Sequence, residues 1–177
     1  MLFTDRSIWT MLHGIFLGGA ALMALSAVLF SLYSTRQANG SDVAAPSQAS
    51  MLAWLTVFIA MMLWLTVLVG TYIIFPPYRA TPPPGLTDLG QYPQSLIQAR
   101  PDTAWLHAFA MESKEHAPWI ASMLATAVAF VGVRYRSRLL NDAQLRSMAT
   151  TLLAICFALV AFVALMGIFV NKVAPLE

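Results

Sequence analysis

The sequence predicts an all-α integral membrane protein, a bundle of four transmembrane helices, on three observations. The 177-residue chain is 59% hydrophobic but only 10% charged, against roughly 25% charged in soluble domains. Its mean hydropathy is +0.69. Four apolar runs stand apart, each near the roughly 20 residues that a helix needs to cross a ~30 Å hydrocarbon core. The runs are continuous rather than alternating, which favours helices over barrel strands. All 177 residues read as one membrane domain, with spans at about 8–33, 51–75, 104–138 and 147–171.

The first span follows a single arginine, Arg6. Its apolar stretch is longer than the 7–15 residue core of a secretory signal, so it reads as a retained helix. It carries His13 with Gly14, Gly18 and Gly19 close behind. Gly14 and Gly18 form a small-xxx-small pair, which suits close helix packing and equally suits a flat macrocycle lying against the backbone. The loop that follows is rich in Ser, Ala, Gln and Gly and reads as a connector.

The second span leads into a loop holding Pro76, Pro77, Pro82, Pro83, Pro84, Pro93 and Pro101. Proline fixes φ and favours extended paths, so this loop is expected to lie as a stiff strap over one mouth of the bundle. Asp102 or Thr103 is a helix cap for what comes next. Pro118 then kinks or breaks the third helix. Either one kinked helix runs from about Thr103 to Leu140, or a short interfacial helix precedes the true span. The fourth span holds Cys156, the only cysteine, so no intrachain disulfide and no cysteine-based zinc motif exist.

Orientation comes from the arginines. Arg134, Arg136, Arg138 and Arg146 crowd the short loop between spans three and four, and short basic loops stay in the cytoplasm. Both termini and the Pro-rich loop are then extracytoplasmic, in the cytoplasmic (inner) membrane. The net charge of +2 and the lack of a basic stripe give no footprint for nucleic acid. No phosphate-binding glycine loop or nucleophile elbow is present, and no C-x-x-C-H motif for covalent haem.

The chain's three histidines, His13, His107 and His116, all fall toward the termini side. Ionisable groups at membrane depth are costly and usually functional. His13 lies 20 residues from Tyr33 and His116 lies 17 from Val133, so their depths differ by about 4–5 Å. That pair suits the axial ligands of one b-type haem, with Gly14 and Gly18 lining its pocket. On a regular helix Glu112, Glu115 and His116 share a face, and His107 lies nearly opposite His116. Glu112, Glu115 and His107 are candidates for accepting protons from a quinol. A second alternative is a carboxylate–histidine metal site, although the paired Glu-x-x-His motif of di-iron bundles is missing.

In span count and histidine depth the chain is similar in general form to the small four-helix cytochrome b-type anchors of respiratory complexes. That resemblance implies a subunit of a respiratory or photosynthetic-type redox complex, not catalytic alone, with a quinone or haem b near the outer face. Three histidines allow at most one bis-histidine haem. Other membrane subunits would be its partners, with a peripheral electron carrier docking on the Pro-rich loop. The alternative is a cofactor-free accessory subunit that stabilises a membrane complex by helix packing.

Overall fold

The computed structural model describes residues 4–37 and 46–174. It is 85% helical, and no strand occurs among the described residues. Four long helices are apolar enough to cross a membrane: α1 (Asp5–Ser34), α2 (Ser47–Tyr78), α4 (Leu106–Arg134) and α6 (Ala143–Val173). Between them lie the short helices α3 (Pro93–Gln98) and α5 (Arg136–Asn141). The chain is thus a multi-pass membrane protein by length and composition of its helices. The connector between α1 and α2 falls largely on residues 38–45, outside those described.

Side-chain caps set the starts of α1 and α6. Thr4 caps α1, its hydroxyl accepting from the Ser7 N–H at 3.2 Å. Asp142 caps α6 through the N–H groups of Gln144 and Leu145. At the third span the structure chooses one continuous helix from Leu106 to Arg134 with Pro118 inside it. Pro118 has no N–H to give the Lys114 carbonyl, yet the neighbouring helices hold the helix through that gap. The helix stops earlier than position 138. Tyr135 adopts φ −123° and ψ 34°, and the chain restarts as α5.

The long helices pack in a ring. α1 touches α2 and α6, and α4 touches the same two, so α1 and α4 are diagonal. The face they enclose is apolar: Leu25, Leu32, Leu52, Ile59, Val128 and Leu153 are almost wholly buried. Outward-facing positions are apolar as well, with Ile15, Met23, Phe30, Phe130 and Ile168 all largely exposed. A helix that is hydrophobic all round expects lipid on its outer side.

The α2–α4 seam depends on small residues. Gly132 faces Thr56 and Ala53, and Thr56 is buried with its hydroxyl donating to the Ala53 carbonyl at 2.7 Å. Higher in the seam, Trp64 Nε1–H donates to Thr126 Oγ1 at 2.9 Å, and Trp64 meets Trp119 edge to face. Two apolar clusters result. The larger fills the arginine end and the middle of the bundle, reaching Ala21, Leu63, Ala121 and Val160. The smaller fills the end that carries the termini and joins Tyr78, Ile97, Leu106, Met111, Met166 and Val170. Ile97 and Pro93 pin α3 onto that end, so part of the Pro-rich loop belongs to the packed structure.

Candidate functional site at the termini end of the bundle

Three of the four long helices carry a π-helical segment, and all three lie toward the termini end: Leu12–Gly18 in α1, Gly70–Ile74 in α2 and Leu106–Met111 in α4. Such segments are uncommon and occur often at functional sites, because the extra residue per turn re-aims side chains. Here they re-aim His13 and His107.

His107 sits in the third segment and is half-buried. Its Nδ1 lies 3.0 Å from the Tyr78 hydroxyl at the end of α2, and its Nε2 lies 3.4 Å from Gln94 Nε2 in α3. An amide nitrogen only donates. With the amide in this orientation His107 Nε2 is the acceptor, so Nδ1–H donates to Tyr78, and the Tyr78 O–H is left free to donate elsewhere. The Glu115 carboxylate is close enough to act electrostatically on Tyr78. Phenol and imidazole therefore meet where α2, α3 and α4 converge. Sequence reading named His107 and Glu115 as candidates but missed Tyr78 and Gln94. By sequence Tyr78 is one aromatic among several near the span ends, and nothing in the spacing joins residues 29 and 13 positions from His107.

His13 and His116 occupy different settings. His13 presses its ring edge against α2, where a Cβ on Gly70 would come within 2.8 Å of Cε1, 3.5 Å of Nδ1 and 3.6 Å of Nε2. The edge carrying both nitrogens thus faces the α2 backbone, with the Thr66 carbonyl in reach and Nδ1 buried without a partner. His116 is exposed on α4, and its Nδ1 donates to the Glu112 carbonyl at 2.8 Å. The two histidines stand on diagonal helices. Glu112 is exposed and Glu115 half-buried. Gly14 is exposed with no atom of another helix within 4 Å of a built Cβ, and Gly18 approaches only the His13 carbonyl of its own helix. Among the described residues no group of three or more His, Cys, Asp or Glu side chains is placed to hold a metal ion.

Sequence reading also missed Lys114, which by position is an ordinary charged residue near a helix start. The residue is half-buried and lies against α6. Nζ would stand 3.2 Å from a Cβ on Gly167 of α6. No protein-family model, curated protein or solved structure matches this chain.

Proposed function

We propose that the chain is an integral membrane subunit of an electron-transfer complex, and that its termini end borders a quinol site on the extracytoplasmic side. The observation that carries this reading is the Tyr78–His107 hydrogen bond at the end of a membrane bundle. Oxidising a quinol releases two protons and two electrons. The protons need acceptors within hydrogen-bond reach. His107 Nε2 offers a lone pair held only by the long contact to Gln94, and Glu115 offers a carboxylate. Tyr78 orients the imidazole from its other side. The electrons pass to a redox centre on a neighbouring subunit. The exposed prolines of the loop, Pro83 and Pro84, offer a rigid docking surface for a peripheral electron carrier.

A b-type haem held by His13 and His116 is a different form of the same reading. It asks His13 to leave Gly70 and His116 to turn inward from the surface of α4, so the geometry favours the quinol form. The cofactor-free accessory reading is separated from both by experiment. In the purified parent complex, His107→Ala and Glu115→Gln should each raise the KM for quinol or lower turnover at least tenfold, with assembly intact. Unchanged quinol kinetics in fully assembled variants would instead support a packing subunit. A reduced-minus-oxidised spectrum with pyridine haemochrome on the same sample tests the haem form. One b haem per chain, lost in both His13→Ala and His116→Ala, would overturn the preference stated here.

A further inference from the structure

Away from the termini end, the outer side of the α2–α4 seam carries an open groove of about 660 Å³. That volume is within the roughly 300–1,000 Å³ of small-molecule sites. Its walls are hydrocarbon: Met61, Leu65 and Leu68 from α2, Phe130 and Val133 from α4. These side chains are exposed, whereas Ala60 and Ala129 are buried, so small residues make the floor. The side-chain donors in the lining are Trp64 Nε1–H and the Thr126 hydroxyl. They are spent on Thr126 Oγ1 and on the Ser122 carbonyl. The groove therefore offers an occupant apolar contact.

Length and position narrow what that occupant is. The Trp64–Thr126 hydrogen bond at 2.9 Å sets the two helices level. Val57 lies seven residues before Trp64 on α2, and Val133 seven after Thr126 on α4, so both mark the arginine end of the groove. From Val57 to Leu68 the helix rises about 16 Å. One leaflet of hydrocarbon is about 15 Å, half of the ~30 Å core. The groove thus spans one leaflet and stops. A neighbouring transmembrane helix crosses both leaflets and would be cradled along only half its length. An acyl chain is cradled along all of it.

At Val133 the groove meets a second pocket of about 400 Å³, lined otherwise by Arg134, Tyr135, Arg136 and Arg138. On an unbroken helix Arg134 and Arg136 would point about 200° apart. The break at Tyr135 gathers them around one pocket. Arg134 lies over the Tyr135 ring, 5.3 Å from its centroid. All three arginines are exposed. None is in an ion pair among the described residues, where the one ion pair is Arg100–Asp102. Asp142, the next acid along the chain, accepts from the N–H groups of Gln144 and Leu145. Guanidinium groups present paired donors that match phosphate oxygens. An apolar groove one leaflet long, ending on three uncompensated cations, is complementary to a lipid with an anionic headgroup.

We propose that the α2–α4 groove and the arginine pocket together bind one anionic phospholipid of the leaflet on the arginine side. An acyl chain lies along Met61, Leu65 and Phe130, and the phosphate sits among Arg134, Arg136 and Arg138. The site is at the other end of the bundle from Tyr78 and His107 and does not rest on the quinol reading.

The test reconstitutes the full chain in vesicles of phosphatidylcholine and phosphatidylglycerol, with one lipid or the other carrying brominated acyl chains. Bromine quenches the fluorescence of an indole it touches, and Trp64 lines the groove. The difference between wild type and Trp64→Phe isolates its share. Phosphatidylglycerol should quench Trp64 with at least about fivefold preference over phosphatidylcholine, the effect of about one arginine at an anionic surface. Combining Arg134→Gln, Arg136→Gln and Arg138→Gln should remove the preference. Those arginines also set orientation, so salt is the second measurement: in wild type the preference should fall as ionic strength rises. Equal quenching by the two lipids would overturn the proposal, as would a preference that survives high salt or the triple variant. Phosphate bound at the arginines with no chain in the groove, or a second copy or partner helix covering the groove, would leave Trp64 unquenched by either lipid and would overturn it too.

Discussion

Gly70→Ala tests whether the His13 ring is seated as described. The new Cβ would stand 2.8 Å from Cε1, whereas carbon atoms pack at about 3.5–4.0 Å. Ring or helix must therefore yield by about 0.7 Å or more. Overpacking of this kind costs about 1–3 kcal/mol. Replacing a helical glycine by alanine returns about 1 kcal/mol of backbone preference. The net expectation is a loss of about 0–2 kcal/mol. Gly14→Ala is the internal control. Nothing lies within 4 Å of its Cβ, so only the backbone gain of up to about 1 kcal/mol applies. The assay is reversible unfolding in mixed micelles titrated with SDS, run on both variants and again in a His13→Ala background. The two glycines should differ by about 1–3 kcal/mol, and the difference should vanish once the imidazole is removed. Equal stabilities for Gly70→Ala and Gly14→Ala, or no rescue by His13→Ala, would refute the placement of the ring.

Three further outcomes follow from the packing. Gly132→Ala should destabilise by a comparable amount, because its Cβ meets Thr56 Oγ1 at 2.9 Å with the Ala53 backbone 3.6 Å away; Thr56→Ala should relieve it in the same unfolding assay. Tyr78→Phe removes the hydroxyl at 3.0 Å from His107 and should cost about 1 kcal/mol, read as a lower Tm together with a shifted His107 ring resonance. Cys156 is fully buried, with Sγ 3.4 Å from the Ala121 carbonyl, so maleimide should label it only on unfolding, and rapid labelling of the native protein would contradict the α4–α6 contact.

Sequence by itself determined the class of this protein. Four continuous apolar runs in a chain with so few charges leave little but helices crossing a lipid core, since only helices and closed barrels satisfy the backbone there. It also brought the histidines and Glu115 toward one end of the bundle. It did not determine which of these residues meet. Stepping residues around a helix at 100° assumes an unbroken α-helix, and the π segments at Leu12–Gly18 and Leu106–Met111 change that step where His13 and His107 lie. Depth along the membrane was legible because it depends on counting residues. Facing was not, because it depends on which helices are neighbours and which are diagonal. Tertiary structure alone therefore turned His116 outward, joined His107 to Tyr78 across the Pro-rich loop, and drew Lys114 inward against Gly167. A lysine near a helix start reads as solvated until a neighbouring helix presents a glycine for it to lie against.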